Sequence, residues 1–209
     1  MPVKNSARLS AAVLALTLSL GPAGAQYAFA GPEKSSVAVP SIRIDNFGRV
    51  DASYYRGAQP QGPDYADLAA FGIKTVINLT SDDALAEEKG MVEHAGMKYL
   101  QIPMTTHAVP TVSQLAEFFK VVNDAASQPV YVHCVGGRHR TGVMTAAYRI
   151  NHDGWTADQA FKEMKQFKFG ADFLHAEFKQ FVYGYPTALR VAAAAAGPVA
   201  GPLVKAGGQ

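Results

Sequence analysis

Cys134 is the only cysteine in 209 residues, and it stands in the run His133-Cys134-Val135-Gly136-Gly137-Arg138-His139-Arg140-Thr141-Gly142. A thiolate is a strong nucleophile, but a thiol at neutral pH is mostly protonated, so a reactive cysteine needs positive surroundings. Arg140, six residues further on, offers a planar, two-pronged donor that fits a tetrahedral oxyanion. Gly136 and Gly137 permit a tight turn and let backbone N–H groups approach an anion with no Cβ in the way. Thr141 places a hydroxyl where it can donate to the Cys134 sulfur as that sulfur departs from phosphorus. These residue types at this spacing describe a phosphate cradle with a sulfur nucleophile at its floor, with Val135, Arg138 and His139 completing its lining.

Such a cradle needs a strand to end on and a helix to begin from. Pro129-Val130-Tyr131-Val132 reads as a short buried strand and Val143 to Tyr148 as the start of a helix running to about Asp153. The N-terminus of that helix adds positive potential behind the loop and would favour the Cys134 thiolate.

Further strands are expected at residues 73–79 and 97–102, and helices at 63–71, 84–95, 111–122, 156–167 and 172–183. Thr111–Gln114 and Thr156–Gln159 have the capping-box pattern; Asp172 reads as a helix N-cap, with Phe173, Phe178 and Phe181 facing inward. Asn46-Phe47-Gly48 suggests a hairpin turn within residues 42–55. This alternation implies an α/β fold with a mainly parallel central sheet flanked by helices. In such sheets ligands bind beyond the strand C-termini, where residues 80–83, residues 104–110 and the cysteine loop would gather.

The ends of the chain read differently. Lys4 and Arg8 precede an uncharged apolar run from Ala11 to Leu20, and small residues lead to cleavage sites after Ala25 or Ala30. Residues 1–25 therefore read as a signal peptide, 26–40 as a linker, 41–186 as one catalytic domain, and 187–209 as a disordered Ala-, Gly- and Pro-rich tail. An exported protein, periplasmic or secreted, with no stable membrane insertion after cleavage, is the expectation. A lone thiol in an oxidising compartment is a liability, which argues that Cys134 is kept for chemistry. Without residues 1–25 the chain carries 17 basic and 17 acidic residues, so no nucleic-acid face is expected.

The run around Cys134 matches His-Cys-x-x-Gly-x-x-Arg-Thr-Gly and so resembles the cysteine-dependent protein-tyrosine and dual-specificity phosphatases. The resemblance extends over about residues 50–183, including Tyr55-Arg56-Gly57-Ala58-Gln59-Pro60, and points to a compact atypical branch of bacteria, plants and fungi. It implies Cys134 as nucleophile, Arg140 as phosphate clamp and His133 as the buried group that orients the loop. Some members of that branch act on inositol pyrophosphates, but they usually carry basic residues where this chain has Val135 and Gly136. The expected substrate is thus a phosphorylated protein, with an inositol phosphate or another small phosphate ester as the alternative. A phosphocysteine route needs only water to finish, so no metal or organic cofactor is expected.

These enzymes usually take the leaving-group proton from an aspartate on a neighbouring loop. Residues 104–110 should be that loop, yet they hold no carboxylate; His107 is the titratable group there and the candidate acid. Asp82 and Asp83 lie on another loop at the same end, but they read more readily as helix N-terminal charges ahead of Ala84. Arg56 reads either as pocket lining or as half of an ion pair. A chain without a donor would bind phosphate without turnover, and a rhodanese-like sulfurtransferase also uses a cysteine loop. The intact Cys134, Arg140 and Thr141 weigh against both.

Overall fold

The structure, a computed structural model, describes residues 42–81 and 83–185. The expected signal, linker and tail, together with Asp82, lie outside the described residues. Among the described residues, five strands form one sheet in the order β1-β2-β5-β3-β4. β1 (Gly48–Arg49) pairs antiparallel with β2 (Tyr54–Gly57), whereas β2, β5 (Val130–His133), β3 (Thr75–Asn78) and β4 (Lys98–Gln101) run parallel. All four residues of central β5 are buried, as a parallel strand covered on both faces requires.

The two-residue period of the strands divides the core into two layers. Ile77 and Val132 face a cluster built with α3 (Val112–Val122), α4 (Arg140–His152), α5 (Ala157–Gln166) and α6 (residues 176–185). Val76 and Tyr131 face the other way, onto α1 (Asp64–Phe71) and α2 (Glu88–His94). Gly72 ends α1 in the left-handed conformation at φ 103°, and α3 and α5 open on complete capping boxes at Thr111/Gln114 and Thr156/Gln159. These punctuation residues fall where the sequence placed them.

Three expectations need correction. The hairpin turn lies between β1 and β2, at residues 50–53, not at Asn46–Gly48. Asn46 instead holds a left-handed φ of 57° and spends its amide on loops from two other parts of the chain. Second, α2 begins at Glu88 with Glu87 as N-cap, so Asp83 does not charge a helix N-terminus; its carboxylate is drawn off by an arginine. Third, Asp172 opens a 3-10 helix (Asp172–His175) after the N-cap residue Ala171, and its carboxylate pairs with Lys165 and Lys179 at 2.7 and 2.8 Å. The tighter 3-10 winding changes which side chains share a face: Phe178 and Phe181 pack on the core, but Phe173 is 80% exposed.

Candidate active site

Cys134 follows directly on β5 and is buried at the floor of a cavity of about 360 Å³. The loop from Val135 to His139 links it to α4, which starts at Arg140, three residues earlier than its apolar run suggests. Gly137 turns this loop at φ 62°, and a Cβ there would lie 2.3 Å from the Gly57 carbonyl. Its requirement for glycine thus comes from the approach of β2, not from the anion. Gly136 has no such constraint: a Cβ would meet only the Arg138 side chain at 3.3 Å.

Two side chains from the N-terminal part of the domain hold the loop from outside. Asn46 Nδ2 donates to the carbonyls of Gly137 and Phe167 at 2.9 and 3.0 Å and to that of Gly136 at 3.3 Å. Fully buried Arg56 donates through Nη2 to the Gly137 carbonyl at 2.8 Å, with its guanidinium 4.0 Å over the Phe167 ring. Arg56 is therefore neither a surface residue nor, among the described residues, part of an ion pair; it is a cation under the loop. With the loop carbonyls turned outward in this way, the N–H groups of Val135 through His139 donate to no acceptor among the described residues. Free donors around a buried sulfur are what an oxyanion cradle requires.

Arg140 is buried, and its guanidinium meets Asp83 in a two-pronged pair at 2.7 and 2.6 Å, while Nη1 also donates to the Met104 carbonyl at 3.1 Å. The Arg140 hydrogen bond, outweighing partial burial, holds the Asp83 carboxyl below its ordinary range. Burial would lower the Arg140 guanidinium, but Asp83 and the neighbouring Cys134 raise it overall. Asp83, Thr106, exposed Val135 and exposed Arg138 form the cavity rim. Thr141 Oγ1, in the first turn of α4, is buried and makes no hydrogen bond among the described residues, which leaves its proton uncommitted.

His133 is completely buried, with Nε2 2.9 Å from Glu88 Oε1, whose side chain is equally inaccessible. Gln59 and Tyr65 donate to the same Glu88 oxygen at 2.6 and 3.2 Å, and Asn78 donates to the other. Burial alone would push the Glu88 carboxyl up; the contact with His133 and these donors outweigh it and hold the carboxyl down. Glu88 escaped the sequence reading because a glutamate at the start of a helix is ordinary, and only the packing of α2 against β3 and β5 shows it to be buried.

His139 lines the cavity with its Nε2 2.9 Å from the Phe169 carbonyl and its ring 3.7 Å from that of His175. Burial lowers its basicity, helped by His175 and the two neighbouring arginines against the Phe169 carbonyl. His107 stands outside this lining. Its side chain is 73% exposed, stacks on His175 at 5.2 Å and directs Nδ1 toward Glu177. Among the described residues, the carboxylate that lines the cavity is that of Asp83.

The strand–loop–helix cradle with a cysteine floor and an arginine clamp defines a cysteine-dependent phosphatase. A family model described as "DSP-PTPase phosphatase fused to NAD+ Kinase" matches residues 42–180, and the chain belongs to this DSP-PTPase phosphatase family. It is 31% identical over 164 residues to the dual specificity protein phosphatase TpbA of Pseudomonas aeruginosa, covering 78% of this chain and 72% of that protein. A crystal structure of P. aeruginosa TpbA in complex with pTyr superimposes with a TM-score of 0.60 at 29% identity, over 74% of this chain and 92% of that one. The inositol diphosphatase SIW14 of Saccharomyces cerevisiae is 26% identical over 133 residues, 61% of this chain and 47% of that protein. The protein is a phosphatase, as its sequence implied.

Proposed function

We propose that the protein dephosphorylates phosphorylated protein substrates, phosphotyrosine foremost, through a phosphocysteine intermediate. The Cys134 thiolate attacks phosphorus as the ester P–O bond breaks, and water then cleaves the P–S bond to release phosphate and regenerate the thiolate. The observation that carries this reading is the Asp83 carboxylate seated in the Arg140 fork above Cys134. It occupies the donors that two phosphoryl oxygens would take, so substrate must displace it. Once displaced, Asp83 loses the cation that depressed its pKa and faces an incoming dianion, both of which favour protonation. We therefore assign the leaving-group proton to Asp83 in preference to His107. Thr141 would assist departure of the sulfur, and His133, held by Glu88, would set the loop.

Two observations support a protein substrate. A second cavity of about 510 Å³ adjoins the first through Asp83 and Val135 and is lined also by Gln61, Leu85 and Met91, giving room for residues flanking a phosphorylated side chain. The relative TpbA is a dual specificity protein phosphatase, seen with pTyr. The likeness to SIW14 supports inositol phosphates as the second reading, but among the described residues Arg138 is the one exposed cation on a rim it shares with Val135 and Asp83, where a polyphosphate would want several. Released phosphate from phosphotyrosine, phosphoserine and inositol phosphate substrates, compared at equal concentration, separates the readings. Preference for phosphotyrosine peptides is expected, and faster turnover of the inositol compounds would reverse the assignment. Cys134→Ser should abolish turnover; equal rates for the two proteins would leave only a phosphate-binding role. We also propose that residues 41–186 are the catalytic domain and that residues 1–25 direct export, from the basic, apolar and small-residue order of that segment.

A further inference from the structure

His107 lies in the segment between β4 and α3, whereas His175 and Glu177 lie where the 3-10 helix meets α6. The fold brings their ligating atoms within 4.8 Å of one another. Nδ1 of His107 and Nδ1 of His175 each stand 3.5 Å from the same Glu177 oxygen. That separation is long for a charge-assisted hydrogen bond, which closes to about 2.7–2.9 Å. It is close to the edge of a tetrahedron whose centre lies about 2.0–2.2 Å from nitrogen and oxygen ligands, an edge of about 3.4 Å.

Burial adds to the spacing. His175 is 92% buried, since only 8% of it is exposed, and its Nδ1 and the facing Glu177 Oε1 are buried atoms with no hydrogen-bond partner among the described residues. Leaving two such atoms unpaired is costly, and a shared cation satisfies both. His107, being largely exposed, can rotate to close the third edge and leaves the fourth position to water.

We propose that His107, His175 and Glu177 bind a divalent cation of the zinc class, beside the phosphate cavity and separate from the Cys134 chemistry. Two imidazoles and one carboxylate suit zinc or cobalt over calcium or magnesium, which prefer all-oxygen sets. The ion would fasten the segment that supplies Met104 and Thr106 to the cavity onto the start of α6. Through the ring contact between His175 and His139 it would also stiffen the cysteine loop.

The test uses the untagged full chain carrying Cys134→Ser, so that sulfur cannot take the metal. Titration with Co²⁺ should give one equivalent with the visible absorption of a four-coordinate site, and Zn²⁺ should displace it. His107→Ala and Glu177→Gln should each weaken binding by about tenfold or more. Because His107 is exposed, its substitution leaves the fold intact, which circular dichroism verifies. Zn²⁺ should also slow amide exchange in residues 104–110 of the Cys134→Ser chain and not in the same chain with His107→Ala. Absence of stoichiometric binding, or equal binding by the His107→Ala protein, overturns the site.

Discussion

Arg140 is the first residue of α4, where a cation opposes the helix dipole. Its position makes sense only with an anion opposite, and in this structure Asp83 is that anion. Asp83→Asn should therefore have two separable effects. Affinity for a non-reacting oxyanion such as tungstate should rise severalfold, because the competitor for Arg140 is gone. Turnover of phenyl phosphate, a poor leaving group, should fall by about 10²-fold, and that of p-nitrophenyl phosphate much less. If both substrates lose equally, Asp83 positions and does not donate. His107→Ala should leave the ratio of the two rates unchanged. The glycines of the loop differ in the same local way. Gly137→Ala combines a positive φ with a Cβ pressed on the Gly57 carbonyl and should cost more than about 1–2 kcal/mol of stability, measured by urea unfolding. Gly136→Ala should remain within about 1 kcal/mol of the parent, since only a flexible arginine has to move.

The cradle is aimed by side chains that lie outside the lining of the phosphate cavity. Glu88 on α2 reaches His133 on β5 and Asn78 on β3, and it collects Gln59 and Tyr65 from the β2–α1 region. A buried carboxylate with this many partners ties two layers of the fold together, and removing it strands a histidine and three donors. Glu88→Ala should cost about 3–5 kcal/mol, read as a lower urea midpoint. The Glu88 carboxyl is held below its unfolded value, so its stabilisation is fully present above the ordinary carboxylate range. That contribution drains away as pH falls from about 5 through the depressed native value. The parent should lose stability across that acid range, while Glu88→Gln should start lower and show a shallower acid limb.

Across the molecule, parallel strands deliver the Asp83, Met104 and cysteine segments to one end of the sheet, and the chain before β1 closes over the back of the loop through Asn46. Export, if it occurs, puts the lone thiol of Cys134 in an oxidising environment, where burial at 3% exposure limits its access to oxidants. Expression of the full chain in a secreting bacterium should yield a processed protein outside the cytoplasm, beginning at Gln26 or Gly31 by N-terminal sequencing. An unprocessed cytoplasmic product would remove the export assignment.

Much of this was legible in one dimension. The order of strands and helices, the two capping boxes, the glycine stop after α1 and the cysteine–arginine spacing are local, because each depends on residues a few positions apart. The reaction followed from that spacing, since a loop of fixed length between strand and helix sets where the sulfur and the guanidinium stand. Which polar residues serve the loop was not local. Asn46, Arg56, Asp83 and Glu88 are ordinary in sequence, and long-range packing alone buries Arg56 and Glu88, turns Asn46 onto two loops and sets Asp83 in the Arg140 fork. His107 was the candidate acid because it had the right residue type on the right loop; the tertiary structure turned its ring toward Glu177 instead. The sequence determined the cysteine–arginine spacing of the loop and the fold class, because those rest on short-range geometry. The partners that charge, orient and occupy the cradle were decided only when distant segments packed together.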